Sequence, residues 1–276
     1  MKQHILLPTD FSDNSWYAIV YALRFYADKE CTFYLLHTTK MNVSTMSNLS
    51  NKLTDIVNEN AMTELEELKE QVERANANPN HKFEIILRSE DLEKAIKFVV
   101  NKYNISLVIM GTNGASGAKE FFFGSNTVKV IKRMNLCPVL TIPSTHDFVV
   151  PKQIAFPTDF NRFYDATELQ PLKDLADVYN SKIRIVHINV EEKLNDVQEH
   201  NLTILKKYLE DYEHSLHWMP DYTKKAKEIN VFIEDLEIDI LVMINYRHSF
   251  LESIINEPVI KKIGFNPIVP FLIIPE

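Results

Sequence analysis

The sequence predicts an α/β protein of two successive domains, each built on a doubly wound parallel sheet. Three observations carry that prediction: a segment plan written twice, short apolar runs alternating with amphipathic stretches, and a glycine-rich loop placed where such sheets hold ligands. The repeat is direct. ILLPTDF at 5–11 returns as IAFPTDF at 154–160, and LLHTT at 35–39 returns as IVHIN at 185–189, at offsets of 149 and 150. AIKFVVNKYNISLVIMG at 95–111 then aligns with INVFIEDLEIDILVMIN at 229–245 at an offset of only 134, so the second copy lacks about sixteen residues between its second strand and third helix. Both copies end alike, CPVLTIP at 137–143 and VPFLIIP at 269–275, and the join falls near STHDFVVP at 144–151. The expected domains are 1–146 and 151–276.

Within the first copy, ILL, TFYLLH, FEIIL, LVIM and PVLTI are short runs rich in Ile, Val and Leu with little polar alternation. That is the pattern of parallel strands covered on both faces. Between them, residues 14–29 place Trp16, Ile19, Val20, Leu23 and Ala27 at helical spacing, and 90–103 do the same with Leu92, Ile96, Val99 and Val100. Five strands alternating with four helices imply right-handed crossovers and one parallel sheet per copy. Ligands of such sheets sit beyond the carboxyl ends of the strands, where strand order reverses. Asp10, after the first strand, and the loop after the fourth occupy that address.

That loop, MGTNGASGAKEFFFGSNT at 110–127, holds four of the chain's five glycines. It runs from a strand end into a helical stretch, VKVIKRM. Glycine lets backbone amides approach a ligand with no Cβ in the way, and the first-turn N–H groups of a helix lack internal partners, which together make an anion site. Turn glycines with an ordinary helix start are the alternative. Ser125 or Asn126 is expected to cap the helix when no ligand is bound. The Walker pattern is excluded because no lysine separates Gly124 from Ser125, and Lys119 falls five residues before Gly124; the dinucleotide fingerprint is excluded because the first turn reads PTDFSDNS.

The spacing that does apply is G-x2-G-x9-G-S, at Gly111, Gly114, Gly124 and Ser125. With PTDFS at 8–12, LLHTT and CPVLTIP, it closely resembles the ATP-binding branch of the universal stress protein family. The resemblance implies two tandem Rossmann-like domains of the adenine nucleotide alpha hydrolase-like kind, paired within the chain as a pseudo-dimer through VLTI at 139–142 and FLII at 271–274. It implies that Asp10 faces the adenosine end beside Pro8 and Thr9, and that the Thr38 backbone contacts adenine. Met110, Gly111, Asn113 and Gly114 would line ribose and the first phosphates, and Gly124, Ser125 and Asn126 the outer ones. Asp10 as the N-cap of the first helix is the alternative; Ser12 or Asp13 could take that task instead.

In the second copy the loop reads NYRHSFLESIINEPVIKK at 245–262: Asn245 replaces the first glycine and no Gly-Ser step remains. Nucleotide binding is not expected there, although Pro157, Thr158 and Asp159 persist. Asp159 is expected to cap a helix, or else to serve a pocket for another small molecule, and Arg247 and His248 are read as solvated loop residues. One or two of Phe121, Phe122 and Phe123 are read as anchors packed under the loop with another touching the second copy, an exposed partner site being the alternative, and the polar stretch 41–62 is read as a mobile connection, a candidate flap.

Composition narrows the remaining classes. A formal charge of −8 and a pI near 5.6 argue against nucleic acid as a partner. No apolar run approaches a membrane span, and Pro8 interrupts the N-terminal run, so a soluble cytoplasmic protein is expected. Cys31 and Cys137 are read as buried thiols. His214 and His217, three apart in a strand, point to opposite faces, and no His/Cys cluster has ligand spacing, so no protein-built metal site is expected. His37 and His187 are repeat equivalents at strand ends. The functional expectation is a stress-response regulator or sensor that binds ATP, ADP or AMP, with or without Mg2+, in its first domain. No nucleophile and base are paired in the motifs and no cation lies within them to assist phosphoryl transfer, so catalysis is expected to be absent or limited to slow Mg-dependent ATP hydrolysis. A nucleotide-free module binding a protein segment or another metabolite stands as the other alternative, and a homodimer is an open expectation.

Overall fold

The structure is a computed structural model that describes residues 2–40, 48–112, 124–144, 147–188, 193–219, 231–246 and 268–276. The chain divides into two compact units, one formed by Met1–Ala118 with Phe123–Ser144 and the other by Lys119–Phe122 with Thr145–Glu276. In the first, β1 (Gln3–Pro8), β2 (Cys31–Thr38), β3 (His81–Arg88), β4 (Leu107–Gly111) and β5 (Val139–Ile142) alternate with α1 (Asp13–Phe25), α2 (Asn48–Ala75), α3 (Leu92–Tyr103) and α4 (Ser125–Arg133). The strands run parallel in the order β3-β2-β1-β4-β5. Strand order therefore reverses between β1 and β4, and their carboxyl ends, Pro8 and Gly111, flank the reversal.

Alternation along each strand supplies both faces of this sheet. Leu6, Tyr34, Leu36, Val108, Met110 and Val139 pack with Ala95, Ile96, Val99 and Val100 of α3, with Val130 of α4 and with Met134 just past its end. Ile5, Leu7, Phe33 and Leu35 point the other way and are fully buried, on the side of α1 and α2. The inner strands carry no solvated face, which accounts for their unbroken hydrophobicity, whereas β3 at the edge exposes Lys82 and Glu84. Cys31 and Cys137 are buried, free thiols, and burial pushes each up to about 12.

The expected mobile connection over 41–62 is corrected for its second part. Residues from Asn48 onward belong to α2, where Val57, Ala61, Leu65, Leu68 and Val72 recur at helical spacing and override the polar composition. Asn58 also accepts a hydrogen bond from the Thr39 hydroxyl at 2.5 Å, tying α2 to the exit of β2. Residues 41–47 lie outside the described residues.

The second unit holds β6 (Gln153–Thr158), α5 (Ala166–Tyr179), β7 (Lys182–Ile188), α6 (Asp196–Tyr208), β8 (His214–Met219), β9 (Ile240–Asn245) and β10 (Phe271–Pro275), with residues 231–235 helical before β9. Its strands are also parallel, in the order β10-β9-β6-β7-β8. α6 has 13 residues against 28 in α2, which places most of the shortening seen in the sequence. Among the described residues no helix is long and apolar enough to cross a membrane.

Candidate functional site

The turn after β1 is built by a chain of small polar groups. The Phe11 amide donates to Thr9 Oγ1 at 3.0 Å. Ser15 Oγ donates to the Ser12 carbonyl at 2.8 Å, so in its 3.0 Å contact with Thr9 it is the Thr9 hydroxyl that donates. Ser12 is the N-cap of α1, accepting from the Ser15 amide, and its own hydroxyl donates to Asp10 Oδ1 at 2.5 Å. Asp10 is thus released from capping and stays exposed at the strand end. His37, at the end of β2, donates its Nδ1 hydrogen to the Thr9 carbonyl at 2.8 Å, and its ring lies 4.5 Å from that of Phe11, which holds a left-handed φ of 60°.

The β4–α4 connection is closed at its base. Gly124 donates its amide to the Thr112 carbonyl at 2.7 Å, and the buried Thr127 hydroxyl donates to the Gly111 carbonyl at 3.1 Å. Both ends of the glycine loop are therefore pinned beside β1. The helix begins at Ser125, and its N-cap is Gly124, which offers no side-chain cap. This corrects the expectation that Ser125 or Asn126 caps α4: both fall inside the first turn, because the chain turns helical one residue earlier. The first amides of α4 consequently have no side chain competing for them at the cap position.

Pro8, Thr9, Asp10, Thr38, Met110, Gly111, Gly124, Ser125 and Asn126 all line one cavity of about 350 Å3. That volume is in the range of small-molecule sites. Asn113 and Gly114, the other two residues expected at the site, lie outside the described residues, as do Phe121, Phe122 and Phe123. Ser15, His37, Leu92 and Thr127 also line the cavity and were not anticipated in that role. The repeat equivalence of His37 and His187 was a sequence signal for one of them, and Leu92 had been assigned only to the core.

The wall opposite α4 is formed by the exit of β2 and the start of α3. Asp91, the N-cap of α3, makes no capping bond; its carboxylate instead takes Lys40 Nζ at 2.7 Å. That hydrogen bond, with Lys40, Lys94 and Lys129 nearby, holds the Asp91 carboxyl below the usual carboxylate range.

A model of the universal stress protein family matches residues 1–143. The chain belongs to the universal stress protein family. Over 159 residues it is 26% identical to the universal stress protein MJ0577 of Methanocaldococcus jannaschii, a match covering 51% of this chain and 95% of that protein. Its fold is similar to that of a universal stress protein from Archaeoglobus fulgidus, with a TM-score of 0.71, 20% identity, and coverage of 99% of this chain and 96% of the other. A universal stress protein structure from Pseudomonas aeruginosa gives a TM-score of 0.59 at 12% identity, covering 99% of this chain and 93% of that one. These likenesses show the α/β Rossmann-like universal stress protein fold with its parallel sheet.

The second unit rebuilds the turn that follows β1 and brings larger side chains to it. The Phe160 amide donates to Thr158 Oγ1 at 3.1 Å, Phe160 has φ 56°, and His187 donates to the Thr158 carbonyl at 3.1 Å. Where Ser15 stands in the first unit, Tyr164 brings a phenol to Thr158 at 2.9 Å. Tyr246, one residue past β9, donates to Asp159 Oδ1 at 3.3 Å, and the Arg162 guanidinium lies over the rings of Tyr164 and Tyr246 at 5.0 and 4.6 Å. Arg162 is in turn paired with Glu168. Gln198 and Asn201 of α6 donate to the Asp159 and Phe160 carbonyls at 2.9 and 2.8 Å. The expectation that Asp159 caps a helix is corrected: α5 is capped by Asp165, in a reciprocal box with Glu168, and Asp159 takes Tyr246 and Asn161. Arg247 and His248 lie outside the described residues.

Proposed function

We propose that the first unit binds an adenine nucleotide, ATP foremost, in the cavity at the β1/β4 reversal, and that the protein acts as a nucleotide-responsive regulator or sensor in the stress response. The observation that carries this reading is the convergence on one cavity of Asp10, of two residues without Cβ, Gly111 and Gly124, and of an α4 start whose cap has no side chain. A Cβ at either glycine would project into space that backbone amides need for close approach to phosphate. Gly124 to Asn126 suit phosphate oxygens, and the exposed carboxylate of Asp10 suits ribose hydroxyls, as an acceptor of hydrogen bonds. Adenine would lie against Thr38, with Asn113 and Gly114 completing the ribose and inner-phosphate contacts. Mg2+ would enter with the nucleotide. This chemistry is binding; water exclusion and phosphate orientation are what these residues supply.

The domains proposed are 1–146, carrying the site, and 151–276, a second, shortened copy of the same fold that binds no nucleotide. In the second copy the phenol of Tyr246 already donates to Asp159, and the rings of Tyr164 and Tyr246 lie against Arg162 beside it. Pairing of the two copies through their last strands would make the chain a pseudo-dimer. Calorimetric titration of nucleotide-stripped protein with Mg-ATP tests the reading. One site per chain is expected; no heat, together with no thermal shift, would remove the nucleotide and leave a protein- or metabolite-binding module. Two sites would mean that the second copy opens.

A further inference from the structure

The chain as a whole carries a formal charge of −8, so an anion approaching it meets net repulsion at long range. The α3 and α4 side of the cavity reverses that sign locally. Lys40, Lys94, Lys129 and Arg133 are exposed there and Lys97 is half-buried, with two carboxylates among them. Asp91 takes Lys40 at 2.7 Å, and Glu93 takes Arg133 at 2.8 Å and Lys97 at 3.4 Å. Lys94 and Lys129 form no ion pair among the described residues, yet both lie close enough to Asp91 to help hold its carboxyl low. Leu92, which follows Asp91, and Ser125, one turn before Lys129, line the cavity, whereas none of the lysines does. The lysines therefore stand near lining residues on α3 and α4 without lining the cavity themselves.

We propose that Lys94 and Lys129, with Lys40 beside them, form an electrostatic rim that steers polyanionic ligands, such as a nucleoside polyphosphate, into the cavity. This inference rests on the nucleotide reading above and adds the kinetics of that site. Exposed charges outside a contact act chiefly on the rate of encounter, while groups that touch the ligand act on the rate of escape. The rim accordingly raises the association rate and leaves the dissociation rate alone. Its reach shrinks as the screening length falls from about 30 Å at 0.01 M salt to about 8 Å at 0.15 M.

Stopped-flow binding of a fluorescent ATP analogue to the full chain, at both salt concentrations, is the test. The double variant Lys94→Glu/Lys129→Glu should lower the association rate at low salt by about tenfold, with the difference shrinking severalfold at the higher salt and dissociation unchanged within about twofold. Lys94→Gln/Lys129→Gln should fall between the variant and the native chain, and Asp91→Asn, which uncovers Lys40, should bind faster than the native chain. Thermal melts of each variant check the fold. An unchanged association rate in the folded double variant overturns the steering role, and a change confined to dissociation makes the lysines ligand contacts and overturns it equally. Failure of the nucleotide reading shows separately, as no binding by the native chain at either salt, and the rim then falls with it.

Discussion

Replacing Gly124 by alanine separates what this glycine does for the fold from what it does for the ligand. Its backbone has φ −59° and ψ 153°, a conformation open to any residue. Alanine there introduces no strain and restricts the unfolded chain, worth about 0.4–1 kcal/mol, but it is a poorer N-cap than glycine by a similar amount, so the melting point should stay within roughly 3 °C of the native chain. The added methyl group stands in the cavity beside the first amides of α4. Displacing one charged hydrogen bond between amide and phosphate costs about 1.5–3 kcal/mol, which is roughly a tenfold to 150-fold loss of affinity. Melting without nucleotide and calorimetric titration with Mg-ATP read the two effects on the same sample. A variant that melts within roughly 3 °C of the native chain and binds at least tenfold more weakly is the expected result. If Gly124→Ala binds like the native chain, the close-approach argument is refuted; if it melts several degrees lower, the glycine serves the fold and the φ/ψ argument is refuted.

Thr127→Val should cost about 1–3 kcal/mol in denaturant unfolding, because it leaves the buried Gly111 carbonyl without the hydroxyl that donates to it at 3.1 Å; a loss under about 0.3 kcal/mol would mean that the pin is idle. Burial pushes the Tyr164 phenol up to about 12, and burial also raises Tyr246, which faces Tyr164 and Asp159. Stability from a raised phenol is complete below the ordinary value near 10 and drains away as pH climbs toward the folded value. Alkaline unfolding of the second unit is therefore expected between pH 10 and 12, followed by phenolate absorbance, and Tyr246→Phe should narrow the loss; a flat profile to pH 12 contradicts it. With Cys31 and Cys137 both buried and both pushed to about 12, a thiol reagent at pH 8 should label the native chain far more slowly than the unfolded one. Rapid stoichiometric labelling would show that one of the thiols is open to solvent.

Local signals made much of this molecule readable. The apolar strand runs, the helical spacing of Leu92, Ile96, Val99 and Val100, and the repeated PTDF turn all act over a few residues, and they led to the strands and to α3; the resemblance carried by the glycine spacing led to nine of the residues that line the cavity. What escaped depended on partners far along the chain. Nothing near Asp159 announces Tyr246, which lies 87 positions away, so a helix cap looked sufficient. Ser125 and Asn126 have the right chemistry for a cap, but the helix starts one residue before a side chain could serve it. The start of α2 reads as a loop because its polar composition outweighs the helical spacing of Leu49, Leu53, Ile56 and Val57.

Phe11 and Phe160 hold the same uncommon backbone conformation, φ 60° and 56°, each with its amide on a threonine hydroxyl and its ring against a histidine. A bulky residue in the left-handed region costs on the order of 1–3 kcal/mol, and the chain tolerates that cost twice. In the second unit it does so where Tyr164, Tyr246 and Arg162 pack together beside Asp159. The turn is thus a joint of the framework, cross-bracing strand, turn and neighbouring strand whether or not anything is bound. A Pro-Thr-Asp-Phe sequence after a first strand consequently reports the architecture.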